Sequence, residues 1–266
     1  NLGGGILSFA MLGAFFLLPL FIQSILGYTP KHAGTVLLPL ALTIMVAAPI
    51  AGKLSDRFGA KWGIVIGMSL VAVGLFFMGH FSLDTSTSAL FWPFVITGLG
   101  MGFTLAPLTT ITLLDIPPEE AGGASGVFST ARQIGSVMGI AILGAYLQSV
   151  MPAKMENHIK AIPNVPPIVE SRLIEFANSG GLTQASSDPQ AMQSAIAGIL
   201  TPSKTGISPA TAAQLGQDIA RAGRQGFTDA INQTLALAAG IAVLGALTAL
   251  SFSNKKPDHP TEPGSA

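Results

Sequence analysis

Gly52-Lys53-Leu54-Ser55-Asp56-Arg57-Phe58-Gly59-Ala60-Lys61 is a short hydrophilic segment set between two long apolar runs. Charged residues make up 10% of the 266-residue chain, against about 25% in ordinary soluble domains. Three of its cations nevertheless crowd into these ten positions. A tight, glycine-bounded, cationic turn joining two apolar helices is the pattern of a chain that crosses a membrane repeatedly, with the turn on the cytoplasmic side.

The flanks bear this reading. Crossing a hydrocarbon core of about 30 Å takes about twenty apolar residues, and six segments qualify: 2–26, 34–54, 62–81, 90–114, 123–150 and 228–252, called a to f. Gly and Pro recur inside them, as membrane helices tolerate. The sequence therefore predicts an all-α integral membrane protein, a six-helix bundle. Helices a–e occupy 1–150, a long extracytoplasmic loop 151–227, helix f 228–253 and a disordered, Pro-rich cytoplasmic tail 254–266. Lys53, Arg57 and Lys61 in the b–c turn and Lys255 and Lys256 after f fall on one side, opposed among short loops by Lys31. Both chain ends are accordingly expected in the cytoplasm, with the protein in a bacterial inner membrane. The chain opens on Asn1 and enters an apolar run at once, without the basic n-region of a signal peptide, so a fragment starting close to a helix is expected.

The long loop carries helical patterns of its own. Ile168, Val169, Leu173, Phe176 and Ala177 recur at helical spacing up to Gly180-Gly181. Met192, Ala195, Ile196, Ile199 and Leu200 share a second face. Ser208-Pro209 offers an N-cap and N1 proline for a third helix running toward f. An amphipathic cap over the outer mouth and a solvated tether are both compatible with this pattern.

Several functional classes are disfavoured. The net charge is zero, so nothing suggests a nucleic-acid partner. There is no cysteine, hence no disulfide frame or thiolate centre. His32, His80, His158 and His259 lack metal-ligand spacing, and neither a cofactor nor an enzymatic centre is expected. The run Gly98-Leu99-Gly100-Met101-Gly102 lacks the offset and preceding strand of a nucleotide loop. Gly63/Gly67, Gly98/Gly102 and Gly135/Gly139 read instead as small-xxx-small pairs for close helix crossings. Pro19, Pro39, Pro49 and Pro107 interrupt spans a, b and d, as in helices that line transport cavities.

Two features bear on mechanism. In the turn, Asp56 is placed to cap helix c, while Gly52 and Gly59 permit a tight reversal. Such a cluster can latch two bundles in one state and release them in another. A plain cationic anchor accounts for Lys53 and Lys61, but not for the two glycines and the Asp56-Arg57 pair. Arg132 lies about ten residues into span e, near mid-membrane at 1.5 Å per residue. An Arg there costs about 3 kcal/mol on insertion scales, and the alternative is one that snorkels to the interface. Gln133 adjoins it, and no carboxylate lies within any span.

Gly52, Asp56, Arg57, Gly59 and Lys61 together resemble the loop signature of the major facilitator superfamily, G-x-x-x-D-R-x-G-x-[KR]. With Leu17–Gln23, Leu26–Pro30, Gly98–Pro107 and Gly122–Gly139, the chain resembles the C-terminal half of the fourteen-helix drug:proton antiporters, the EmrB/QacA group. The resemblance implies alternating access between two bundles, with a and d lining the cavity, b and e facing the other bundle, and c and f outside. By that mapping Gln23, Thr109 and Thr110 meet substrate, and Arg132 and Gln133 sit near the seam between bundles. The expected partners are the lipid bilayer, a small amphipathic substrate, protons and an N-terminal bundle, with a periplasmic adaptor on the outer loop left open. A carrier of one defined metabolite and a membrane scaffold using the outer loop are the competing readings.

Overall fold

The computed structural model describes residues 2–113, 116–117, 119–163, 165–178, 194, 198 and 209–251. These residues form an all-α bundle of six long apolar helices, each capable by length and composition of crossing a membrane. No strand occurs among the described residues. The long helices are α1 (Leu2–Leu20), α2 (Pro30–Phe58), α3 (Ala60–Met78), α4 (Thr87–Leu113), α5 (Ala121–Lys160) and α7 (Pro209–Ala249); a shorter α6 (Pro167–Asn178) lies between the last two.

Local chemistry sets the helix ends. The last turn of α1 widens into a π-helical segment, Phe21–Ile25, and Gly27, at φ 68°, turns the chain. Thr29 then caps α2, its Oγ1 accepting from the His32 N–H at 3.4 Å, with Pro30 in the first turn. Proline there already holds helical φ and lacks an N–H that would go unpaired anyway. Helix α2 therefore starts four residues before the apolar run that marked span b.

Close backbone approach builds the core. Gly135 and Gly139 of α5 lie against the backbones of Gly5 and Phe9 of α1. Gly67 meets Gly100 and Thr104 across the α3–α4 crossing, and Gly98 and Gly102 meet Leu40 and Ala47 of α2. All three small-xxx-small pairs picked out in the sequence thus sit at crossings; at Gly63, the neighbour is Pro107. Polar groups within these crossings are satisfied internally, as lipid requires. Buried Thr97 and Thr104 each donate back to their own helix, to Pro93 O and Gly100 O, both at 2.8 Å.

The helices outrun the apolar segments at one end of the bundle. Span e was expected to stop at 150 and f to start at 228, yet α5 runs on to Lys160 and α7 starts at Pro209. The reason is a stripe rather than a run. Leu147, Met151, Met155 and Ile159 are buried at four-residue spacing on α5, and Leu215, Ile219, Ala222 and Phe227 are buried on α7, the helix packed against it. Gly226 lies against the Met155 backbone. Helix α6 packs on α5; Val169 and Leu173 are buried and Phe176 partly so, as the helical spacing suggested, but Ile168 of the same pattern is exposed. Pro209 begins the third loop helix as expected, but that helix continues without a break into span f. The pattern at Met192 to Leu200 and the tail after 251 lie outside the described residues.

Gly135→Val drives an isopropyl group, starting with its Cβ, into the Gly5 backbone and is expected to destabilise the bundle by about 1–3 kcal/mol. Gly144→Val, where a Cβ meets nothing within 4 Å, should leave it unchanged. Thermal unfolding of the purified protein in detergent distinguishes the two.

Candidate functional site: the α2–α3 turn and the polar residues of α1, α4 and α5

Gly59 alone makes the turn between α2 and α3. It has φ 90° and ψ 149°, a conformation reached almost only by glycine, and its N–H closes α2 on Ser55 O at 2.8 Å. The structure corrects the expectation that Asp56 caps α3. Because α2 continues to Phe58, Asp56 lies in its last turn, and Gly59 caps α3 without any side-chain hydrogen bond. A carboxylate there faces the negative end of the α2 dipole, an unfavourable position by itself. Asp56 and Arg57 are exposed and Lys61 is half-buried. Among the described residues the only ion pairs are His158–Asp229 and Lys160–Glu156, so the turn forms none with any of them. Gly52, one turn earlier, has open space where a Cβ would stand. Ser55, buried beside it, has an unpartnered Oγ.

Helix register fixes the depth of the remaining residues. Helix α3, 19 residues long, is about 28 Å from end to end and serves as a ruler for the core. At its far end Gly79 lies against Asn232, whose Nδ2 donates to Phe81 O at 2.7 Å. Since Gly226 meets Met155, Asn232 is level with about residue 149 of α5. Counting back along α5 by the length of α3 puts Arg132 within one helical turn of the level of Ala60. Arg132 is therefore near the turn end of the bundle, not at mid-membrane. The sequence count started at Gly123, whereas the segment of α5 that crosses alongside α3 starts several residues later.

Arg132 is half-buried, its guanidinium 5.6 Å from the centroid of the Phe128 ring and its Nε buried without a hydrogen-bond partner. Gln133 is exposed. Thr109 and Thr110, close to the same end, return their hydroxyls to Leu105 O and Ala106 O, at 2.8 and 3.3 Å. Gln23 lies apart, half-buried in the π-helical segment at the far end. Such segments interrupt the regular hydrogen-bond ladder and recur at functional sites. The predicted polar set thus divides: Thr109, Thr110, Arg132 and Gln133 share a depth with the turn, and Gln23 does not.

Sequence reasoning missed a polar group at the far end. His158 Nε2 and Asp229 Oδ2 are 2.8 Å apart, joining α5 to α7 across 71 residues of sequence. One helical step deeper, Gln233 Nε2 donates to Tyr146 Oη at 2.9 Å. Lys160 Nζ donates to Glu156 Oε1 at 2.6 Å, and this carboxylate raises the Lys160 ammonium above its ordinary value. The lone His and the span-edge Asp gave no spacing that could link them. Among the described residues no group of three or more His, Cys, Asp or Glu could hold a metal ion.

Fold and turn together define a multi-pass membrane protein whose helices pack through glycine crossings around a signature turn. The family model of the Major Facilitator Superfamily matches residues 2–140, and the chain belongs to that family. It is 34% identical to the multidrug resistance protein Stp of Mycobacterium tuberculosis over 157 residues, 59% of this chain and 29% of that protein. Against the tetracenomycin C resistance and export protein of Streptomyces glaucescens the identity is 30% over 188 residues, 69% and 35% of the two chains. The multidrug transporter protein MdtP of Bacillus subtilis is 29% identical over 199 residues, 73% and 37% of the two. The chain spans about a third of the length of these relatives.

Gly59→Ala forces a Cβ into a left-handed conformation and should destabilise the bundle by about 1–2 kcal/mol. Lys61→Ala at the same turn should change stability by less than about 0.5 kcal/mol. Unfolding midpoints in detergent compare the two.

Proposed function

We propose that these residues form the C-terminal six-helix bundle of a fourteen-helix drug:proton antiporter of the EmrB/QacA group. The protein exports small amphipathic compounds from a bacterium by alternating access against a second bundle. The observation that carries this reading is the uneven burial of the six helices. Only 22% of the most apolar stretch of α2 and of α5 is buried, against 44–50% for α1, α3, α4 and α7. Leu42, Val46 and Ile50 of α2 and Ile134, Met138 and Ile142 of α5 form outward apolar stripes. These are the helices expected to face the other bundle. The names of the relatives, two of them multidrug proteins and one a resistance and export protein, support drug efflux as the activity.

On this reading the α2–α3 turn is cytoplasmic, as are both ends of the chain. The turn works between bundles: Asp56 and Arg57, unpaired here, take partners from the opposing bundle in one state and release them in the other. Gly52 leaves room for that close approach. Arg132, with an unpartnered Nε beside α1, lies at the cytoplasmic end of the seam and offers a fixed positive charge to an acid of the opposing bundle. Protons drive export. A periplasmic adaptor, if the protein works with one, meets the cap formed by α6 and the extended ends of α5 and α7.

The test uses everted membrane vesicles carrying the protein together with its preceding bundle. Several unrelated amphipathic drugs should each dissipate an imposed proton gradient. A response to a single compound would make this a metabolite carrier, and no response would sink the antiporter reading. Gly52→Ala should leave the unfolding midpoint unchanged while lowering drug-driven proton flux about tenfold, an effect of about 1.4 kcal/mol on the working cycle. Arg132→Ala should lower flux likewise, and unaltered flux would remove the role given to that residue.

A further inference from the structure

A second polar site lies at the end of the bundle opposite the α2–α3 turn. A cavity of about 460 Å³ opens between the α3–α4 loop, the extended end of α5 and the outer part of α7. Its volume is in the range of small-molecule sites. On α7 it is lined by Arg221, Arg224, Gln225 and Thr228, spaced i, i+3, i+4 and i+7, so a single helix face presents all four. Neither guanidinium has an ion pair or side-chain hydrogen bond among the described residues.

The opposing wall is fixed. His158 of α5 is bonded to Asp229 at 2.8 Å, which engages that carboxylate. Asp84 is then the one unengaged acid lining the cavity, set against two unengaged guanidiniums. The depth is also defined. Thr228 and Asp229 lie three to four residues beyond Asn232, about 5–6 Å past the end of α3. That is the thickness of one polar headgroup layer. Arg224 and Arg221 rise from there into the aqueous phase.

From this arrangement we infer that the cavity binds a phosphate-bearing ligand, with Arg221 and Arg224 clasping the phosphate. A carboxylate is satisfied by one bidentate guanidinium, whereas a phosphate presents enough oxygens to serve two. The site is separate from the substrate path proposed above: it lies between α3, α5 and α7, within one bundle and at its far end. The phosphate comes from a lipid headgroup or from a soluble ester, and the position of the cavity across the headgroup boundary is open to both.

The experiment uses the full protein in detergent micelles with three probes: phosphatidylglycerol followed by native mass spectrometry, diacylglycerol as its phosphate-free counterpart, and glycerol phosphate followed by calorimetry. The double variant Arg221→Gln/Arg224→Gln should lose at least about tenfold in affinity for the phosphate probe that binds, with diacylglycerol retention unchanged. Retained phosphatidylglycerol binding with no glycerol phosphate binding identifies a lipid headgroup site, and the reverse a soluble ester; either outcome supports the inference. Arg172→Gln on α6, exposed and outside the cavity, controls for general charge. Equal loss in that control, equal binding by the double variant, or binding of neither phosphate probe would overturn it. An unchanged unfolding midpoint in the double variant verifies that the cavity is intact.

Discussion

The backbone-to-backbone approach at the glycine crossings is the constraint on which the bundle depends. In lipid there is no hydrophobic difference between a helix face and the acyl chains around it, so helices associate through close packing and internally satisfied polar groups. Gly135 and Gly139 let α5 lie directly on α1, while Gly67, Gly98, Gly100 and Gly102 bring α3 and α2 onto α4. Thr97 and Thr104 at these contacts return their hydroxyls to carbonyls of their own helix, so neither donor is left unpaired. Once these axes are set, the level of every other residue follows. The depth of Arg132 is as much a consequence of Gly226 on Met155 as of its own place in α5.

Much of this was legible in the sequence for specific reasons. Each span announced itself by length and apolarity, and the glycine pairs by four-residue spacing. The turn was recognisable because its cations and glycines had no other use between two apolar runs. What escaped is equally explicable. Leu215, Ile219, Ala222 and Phe227 are separated by polar residues, so a search for apolar runs started span f at 228 and left the helix expected from Pro209 in the loop, although the two are one helix. The cap on α3 went to Gly59 because a continuous α2 carried Asp56 out of reach. Arg132 was placed too deep because the count began where apolarity began, whereas its depth is set by neighbours far away in sequence. The His158–Asp229 pair depends on the α5–α7 register alone.

Burial and polarity divide the molecule into two kinds of surface. Along the membrane, α2 and α5 carry broad outward apolar stripes, while α1, α4 and α7 are half enclosed. Beyond the far end, the same α5 and α7 trade outward apolar residues for an amphipathic contact with α6 and for charged side chains around a cavity. One pair of helices therefore belongs to two environments with opposite packing rules. The change occurs near Asn232, where side-chain amides bridge to the α3–α4 loop and to Tyr146.

The lengths of these two helices have a mechanical implication. At 40 and 41 residues, each is about 60 Å long, roughly twice the thickness of the hydrocarbon it crosses. An unbroken helix of that length is a lever whose fulcrum lies within the bilayer. A tilt of about 10° at mid-membrane swings the protruding tip by about 5 Å, a displacement the size of one helical turn. Because α5 and α7 are clasped above the membrane by Gly226, His158 and Asp229, their tips travel together. Any rocking inside the lipid would thereby become a coordinated displacement outside it.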